Sequence, residues 1–380
     1  MKSNTRSLRA LLRIALLAGS TLLIASSELR ASAGCCGGTG AFGLDGRWTP
    51  LDLPPVPKKE RIVSIHNASF GSTRDLYAEI NATFGKEWVK KTNYSLTVNG
   101  THGPSFAQTR VLLADTSDAD FVTLDHPSAI DELALRGRFL PENWRTRLPN
   151  NSVPFNTTIV FLVRKGNPKA IRDWPDLAKS GVAIVTPDPK LNSVGQWIYL
   201  AAWSTALQRE GGDVEKARAS IIELYHNVAV LNSNSDGAAQ TFTEKKTGDV
   251  LLLLESEALA LAAQDKAYEV VAPPASLRVE TPVAWLDKNI EKHGTARVTI
   301  SYLMHLFSPE VQEIAVRHHY RPIDEAVAQK HASAFAPVKL LTLDETFGGW
   351  TQAYTRFLAP GAALDRDYPV MTTKEIIVQR

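Results

Sequence analysis

Short apolar runs rich in β-branched residues alternate with longer amphipathic segments along most of this chain, and this alternation is what most limits its fold. The first run, Ile62 to His66, has the residue types of a strand, and a helical pattern over Arg74 to Lys91 follows it. Further strands are predicted at Tyr94 to Val98, Phe121 to Leu124, Ile159 to Val163, Val182 to Val185, Val250 to Leu254 and Val283 to Asp287. Further helices are predicted at Phe106 to Ala114, Ser128 to Arg136, Gly195 to Gln208, Glu215 to Tyr225, Ala238 to Lys245, Ala296 to Phe307 and Pro309 to Arg317. Strands that alternate with helices indicate an α/β architecture.

The N-terminal segment has the layout of a secretory signal. Basic residues precede an apolar run from Ile14 to Ala25, and the small residues Ala31-Ser32-Ala33 follow it. The run is shorter than the roughly 20 residues that a membrane-spanning helix needs. We therefore expect residues 1–33 to be a signal peptide and the mature protein to be periplasmic.

Residues 34–60 are rich first in glycine and then in proline, which predicts a flexible tether. The two cysteines of the chain, Cys35 and Cys36, are adjacent and lie in this tether, so they cannot cross-link the main fold. Lipidation of Cys35 is an alternative to cleavage after Ala33, although Ser32 stands where a lipoprotein signal usually has leucine.

Charge and motifs exclude several classes of function. The chain has 42 Lys and Arg against 40 Asp and Glu; loss of residues 1–33 removes five basic residues and one acidic residue, which leaves a net charge of −2. This balance argues against a nucleic-acid partner. The sequence contains no phosphate-binding loop, serine-hydrolase elbow, His-Glu-x-x-His or Cys-x-x-Cys motif, so we expect neither an enzyme nor a cofactor. Glu255 and Glu257 could form an acid/base pair, but a helix starting there would use them at its positive N-terminus instead.

Several long blocks of sequence resemble the periplasmic sulfate- and thiosulfate-binding proteins, which are receptors of ABC importers. The resemblance runs from about Ile62 to Trp350. The blocks that carry it are Asn67-Ala-Ser-Phe-Gly-Ser-Thr-Arg-Asp-Leu-Tyr77, His102-Gly-Pro-Ser105, Thr158-Ile-Val-Phe-Leu-Val-Arg-Lys-Gly-Asn-Pro-Lys169, Tyr199-Leu-Ala-Ala-Trp203 and Phe347-Gly-Gly-Trp350.

The resemblance implies a two-lobed type II periplasmic binding protein that holds its ligand in the cleft between the lobes and delivers it to a membrane permease. On this basis lobe I comprises residues 61–150 and 260–358, lobe II comprises residues 151–259, and residues 359–380 form a C-terminal tail. We expect a monomer that binds a small inorganic or organic anion.

The residue types are compatible with an oxyanion receptor, because helix N-termini present unpaired N–H groups and a favourable dipole to an anion. Hydroxyl or small residues stand at predicted helix starts, although simple N-capping is the alternative for each. The resemblance places ligand contacts at Gly71, Ser105, Asn192, Ser193, Val194, Ser235 and Leu254. Ser72 and Thr73 are added to the predicted ligand-binding residues, because they carry hydroxyl groups at the predicted helix start that follows Gly71.

The chain departs from the family at most of these contacts. The family usually has Asp at Gly71, Ser-Gly-Gly at Asn192 to Val194, and Trp at Leu254; its Ala is Ser235, and an adjacent Arg has become Asp236. Main-chain N–H groups survive such replacements, so Asn192, Ser193 and Val194 are expected to line an anion through the main chain. The indole donor of a tryptophan is lost at Leu254.

Asp125 and His126 stand where the family has an apolar run, at the predicted C-terminal end of a strand. This end of a strand is a ligand position in open α/β folds. The pair is therefore a candidate for tuning the ligand, the alternative being that both residues cap the helix from Ser128 and pair with each other.

Three hypotheses follow. The first, a receptor for sulfate or thiosulfate, predicts a cleft that presents convergent N–H groups, with Asp125 turned away. A receptor of the same fold retuned to an organosulfur or other organic anion predicts a roomier, less polar cleft. A periplasmic metal-binding protein or metal-dependent enzyme requires His66, His102, Asp125 and His126 to converge on one point; no spacing of these residues indicates a metal site.

Overall fold

A computed structural model describes residues 62–372 and 377–379, so the predicted signal peptide and the whole of the predicted tether lie outside the described residues. The strands are β1 (Ile62–Ser69), β2 (Ser95–His102), β3 (Phe121–Thr123), β4 (Phe155–Arg164), β5 (Ile184–Pro187), β6 (Val228–Asn232), β7 (Val250–Leu254), β8 (Tyr268–Val271), β9 (Ala275–Glu280), β10 (Val283–Trp285), β11 (Arg321–Pro322), β12 (Lys339–Leu341) and β13 (Ile377–Gln379).

The helices alternate with these strands and confirm the predicted α/β architecture. They are α1 (Arg74–Thr92), α2 (Ser105–Leu113), α3 (Pro127–Leu135), α4 (Pro149–Ser152), α5 (Ser193–Arg209), α6 (Val214–Tyr225), α7 (Ser235–Thr243), α8 (Glu255–Gln264), α9 (Asp287–His293), α10 (Ala296–His305), α11 (Pro309–Arg317), α12 (Glu325–Lys330), α13 (Leu343–Phe347), α14 (Trp350–Ala353) and α15 (Ala363–Met371). None of the helices within residues 62–372 combines the length and the apolar character that crossing a bilayer requires.

The smaller of two sheets has the strand order β10-β3-β1-β2. Strands β2 and β3 both run parallel to β1, so the carboxyl ends of all three lie at one edge of the sheet. The chain that leaves this edge forms the turn at Gly71–Thr73 after β1, the start of α2 after β2, and Asp125 after β3. Parallel pairing therefore gathers three predicted contact segments in one place.

The larger sheet has the order β12-β9-β4-β7-β5-β6-β13, and β8 and β11 also pair with β4. Strands β6 and β7 run parallel to β5, and each of the three is followed by a helix that begins with a predicted contact or lies next to one. These helices are α5 after β5, α7 after β6 and α8 after β7. The second sheet thus repeats the arrangement of the first.

The aromatic residues of α5 lie in the core, as the sequence predicts. Trp197, Tyr199 and Trp203 are each at most 1% exposed. In the segment predicted as a C-terminal tail, the structure has helix α15, whose Asp367 is buried and accepts a hydrogen bond of 2.8 Å from the guanidinium of Arg218 on α6.

Candidate functional site

Asp125 forms hydrogen bonds with residues that follow strands of both sheets. It follows strand β3 and is only 3% exposed. Its carboxylate accepts hydrogen bonds from the hydroxyl groups of Ser105 and Ser193, the latter at 2.7 Å. Ser105 is the first residue of α2 and Ser193 the first residue of α5, so each sheet contributes one donor. The expectation that Asp125 turns away from the cleft is wrong, because these two hydroxyls converge on its carboxylate.

The main chain of Asp125 also forms hydrogen bonds with residues that follow strands of both sheets. Its N–H donates to Oγ of Ser105 at 3.1 Å, and its carbonyl oxygen accepts the indole N–H of Trp197 at 2.5 Å. Burial raises the pKa of the Asp125 carboxyl, whereas the two serine hydroxyls and the residue's own N–H lower it. Burial is the largest of these effects, so the protonated form is favoured relative to an exposed aspartate.

The carboxyl group of Glu257 interacts electrostatically with those of Asp125 and Asp236. Glu257 is in the first turn of α8 and is partly buried. Its removal from solvent, together with the negative charges of Asp236 and Asp125, raises the pKa of the Glu257 carboxyl to about 8, against the opposing hydrogen bond from Ser72. The hydroxyl of Ser72 also lies 3.2 Å from the hydroxyl of Tyr320. The site therefore combines hydroxyl donors with an excess of acidic groups.

His126 is completely buried beside Asp125, under the rings of Phe106, Trp197 and Trp350, whose centroids are 5.1, 5.7 and 4.4 Å from its own. Burial, aided by the positive charge of Arg145, lowers the pKa of His126 to about 3, so the ring is neutral at physiological pH. Its Nδ1 lies 2.7 Å from Oγ of Ser128.

The structure contradicts the capping alternative for this pair. His126 occupies the N-cap position of α3, but no side-chain hydrogen bond caps that helix. The carboxylate of Asp125 points to Ser105 and Ser193 instead of the histidine ring, because those hydroxyls satisfy a buried charge that the apolar surroundings of His126 could not.

The expectation that Asn192 and Val194 offer free main-chain donors is wrong. The N–H of Asn192 donates to the carbonyl of Asp188 at 2.9 Å, and Oδ1 of Asn192 accepts the N–H groups of Val194 and Gly195 at 2.9 and 3.2 Å. The asparagine side chain thus caps α5 and uses the donors that the resemblance assigns to an anion. Gly195 allows this close approach, because a Cβ there would lie 2.7 Å from the carbonyl carbon of Asp188.

The remaining predicted contacts lie around the same edge of their sheets but present different groups. Gly71 is exposed, and a side chain added there would meet no atom within 4 Å. The hydroxyl of Thr73 donates to the carbonyl of Phe70 at 2.7 Å, which stabilises the local turn. Ser235 is the partly buried first residue of α7, and Leu254 ends β7 as a completely buried core residue.

The metal hypothesis finds no support in the part of the chain that the structure describes. There, no group of three or more His, Cys, Asp and Glu side chains is placed to hold a metal ion. The imidazole Nδ1 of His102 lies 2.6 Å from the hydroxyl of Ser69, and the main-chain N–H of His66 donates to Asp120.

Sequence reasoning missed several residues of the site. It treated Glu255 and Glu257 as equivalent, whereas Glu255 is buried and forms a two-pronged ion pair with Arg321, at 2.6 and 2.7 Å. Tyr320 and Trp350 were not singled out as site residues, although Trp350 belongs to a block that carries the resemblance. A groove of about 1260 Å³ lies beside the site, lined in part by Phe106, Ser128 and Trp350, but not by Asp125 or Ser193.

Comparison with known proteins identifies the family. The family model described as "Bacterial extracellular solute-binding protein" matches residues 65–321. The chain belongs to this family. It is 44% identical over 307 residues to the sulfate-binding protein of Escherichia coli (strain K12), a match that covers 80% of this chain and 92% of the relative.

Other relatives agree with this assignment. The thiosulfate-binding protein of Pseudomonas aeruginosa is 39% identical over 304 residues, which cover 80% of this chain and 91% of the relative. Among solved structures, the sulfate-binding protein SubI from Mycobacterium tuberculosis H37Rv superimposes with a TM-score of 0.69 at 25% identity, covering 78% of this chain and 99% of SubI. These family members are solute-binding transport proteins.

Proposed function

We propose that this solute-binding protein is the receptor of an ABC importer and binds sulfate or thiosulfate beside Asp125, through the serine hydroxyls that now donate to the Asp125 carboxylate. The observation that carries the proposal is the convergence of two hydroxyl donors, each on the first residue of a helix, on one buried anionic group. Helix N-termini and hydroxyl donors stabilise an anion without a counter-cation. The names of the relatives support the choice of anion.

We propose the hydroxyls of Ser72, Ser105 and Ser193 as the side-chain donors to the ligand. The other predicted ligand-binding residues would form the wall of the cleft around them: Gly71, Thr73, Asn192, Val194, Ser235 and Leu254. Asp125 and His126 would tune the ligand that this wall accepts.

We further infer that the mature protein acts in the periplasm as a monomer and delivers its ligand to a membrane permease, without catalysing a reaction. The signal-like pattern of residues 1–33 and the transport role of the relatives support this inference. The separate four-stranded sheet supports a first lobe built from residues 61–150 and part of 260–358, and strands β5 to β7 support a second lobe over 151–259. Strands β8, β9 and β12 join the larger sheet.

Titration of the mature protein with sulfate and thiosulfate, followed by thermal unfolding and by calorimetry, tests the function. A ligand at 100 times its dissociation constant adds about 2.7 kcal/mol to the free energy of unfolding and raises the melting temperature. We expect one of the two anions to do so. If neither anion bound to the protein or raised its melting temperature, the proposal would be contradicted.

Replacement of Ser105 or Ser193 by alanine is expected to weaken anion binding about tenfold. Loss of a hydrogen bond to a charged ligand costs about 1.5 to 3 kcal/mol, but the ligand-free protein also loses a bond to Asp125, which offsets part of the effect. Ser220→Ala is the matched control, because the Ser220 hydroxyl accepts a hydrogen bond from Arg209 away from the cleft and its loss should leave the dissociation constant unchanged. Equal effects of the three substitutions would remove these serines from the site.

A further inference from the structure

The donors of the proposed anion site are already occupied by an anion of the protein itself. Both oxygens of the Asp125 carboxylate accept a serine hydroxyl, one from each sheet. An oxyanion that took these hydroxyls would leave a buried carboxylate without them, next to a second negative charge. Two buried like charges at hydrogen-bonding distance cannot both remain ionised at low cost.

No cation relieves this conflict. The groups that shift the pKa of Asp125 are burial, the two serine hydroxyls and its own N–H, with no positive side chain among them in the described residues. From the packed elements, Glu257 on α8 has a carboxyl that is uncharged over most of the range below its pKa of about 8, Asp236 on α7 is an acidic group that interacts with Glu257, and Tyr320 adds a neutral hydroxyl; none of the three supplies a positive charge. His126 beside it is neutral, and Arg145 acts on that ring. The remaining way to neutralise the charge is a proton.

We propose that Asp125 is a specificity-determining residue that makes anion binding depend on one proton, which it shares with the bound oxyanion. The inference rests on the proposed function. Protonation converts the carboxylate from an acceptor of two hydrogen bonds into a hydrogen-bond donor toward the anion and releases the hydroxyls of Ser105 and Ser193. Deprotonated Asp125 acts as an internal competitor that holds the same donors.

Calorimetric titration of the mature protein with sulfate between pH 5.5 and 8, in two buffers of different ionisation enthalpy, tests the proposal. For the unsubstituted protein, the dissociation constant should rise about tenfold per pH unit once Asp125 is ionised in the free protein, with uptake of about one proton per anion bound. In Asp125→Asn, a neutral isostere, the pH dependence and the proton uptake should vanish, and binding at pH 7.5 should be at least tenfold tighter. If the asparagine variant folds poorly, Asp125→Ala serves in its place, and the same result is expected.

Two further variants separate Asp125 from other carboxyls. Glu257→Gln should retain the slope below pH 7.5, since Glu257 keeps its proton there. Asp115→Asn, which removes an exposed carboxylate that pairs with Lys288, should behave as the unsubstituted protein. A slope that survives in Asp125→Asn, or that disappears in Glu257→Gln alone, would overturn the assignment to Asp125.

The two proposals fail in different ways. Sulfate binding by the unsubstituted protein with no pH dependence and no proton uptake would overturn the role of Asp125 and leave the proposed function standing. If neither the unsubstituted protein nor Asp125→Asn bound sulfate or thiosulfate at any pH, the proposed function and the inference would both be overturned.

Discussion

Replacement of Arg321 by methionine is expected to lower the free energy of unfolding by about 3 to 5 kcal/mol. Glu255, the first residue of α8, is 2% exposed, and the guanidinium of Arg321 on β11 forms a bidentate ion pair with its carboxylate. Removal of one member leaves a buried charge without compensation, which costs far more than the pair contributes. Urea-induced unfolding of the mature protein at pH 7 measures the change.

Two controls make this result specific. Lys91→Ala breaks an exposed ion pair with Glu87 on α1 and should cost less than about 1 kcal/mol. The double variant Glu255→Gln/Arg321→Met removes both charges and should recover part of the loss. A cost below about 1 kcal/mol for Arg321→Met alone would mean that solvent reaches Glu255.

The contribution of Glu257 to the stability of the ligand-free protein is expected to fall by about 1 kcal/mol per pH unit as the pH rises from 5 to 8. In the unfolded chain Glu257 loses its proton above its ordinary pKa of 4.5, whereas in the folded protein it keeps the proton up to about pH 8. At this residue the folded state therefore binds more protons in this window, and each increase in pH favours unfolding. Asp125 acts in the same direction, because burial also raises its pKa. The buried ring of His126 acts in the opposite direction below about pH 6.5, because its pKa of about 3 lies below its ordinary value.

The difference in stability between the unsubstituted protein and Glu257→Gln should decrease with pH by this amount, as measured by urea unfolding at pH 5, 6, 7 and 8, since His126 contributes equally to both proteins. The exposed Glu223→Gln on α6 is the matched control and should keep the slope of the unsubstituted protein. Carboxyls with a lowered pKa, such as Asp176, do not confuse the test, because their contribution changes only below about pH 4. A difference between Glu257→Gln and the unsubstituted protein that does not change with pH would contradict the assignment to Glu257.

The α/β class and most element positions could be predicted because they depend on local patterns. Helix α11 has the predicted bounds, and α1 differs by one residue at its end. The predicted strand that starts at Val283 ends early at Trp285, because Asp287 begins α9. The helices after Arg317 were not predicted: they are short, and their polar sequences show no clear apolar period.

The same distinction between local signals and long-range contacts applies to the candidate site. The sequence indicated Ser105 and Ser193, since a hydroxyl residue at a helix start is a local signal, and it marked Asp125 as a departure at the end of a strand. It could not give the direction of the Asp125 side chain or the use of the Val194 N–H by Asn192, because rotamers and caps depend on neighbours.

The sequence by itself determined the architecture and the family, since periodicity and long matching blocks are properties of the chain, and it supplied the residues that we propose for the cleft. The tertiary structure alone decided that Ser105 and Ser193, 88 residues apart, donate to one carboxylate, and that Glu255 and Glu257 have separate roles. The reason is physical: charge interactions, burial and hydrogen bonds depend on distances between segments that only the parallel pairing of strands in two sheets brings together.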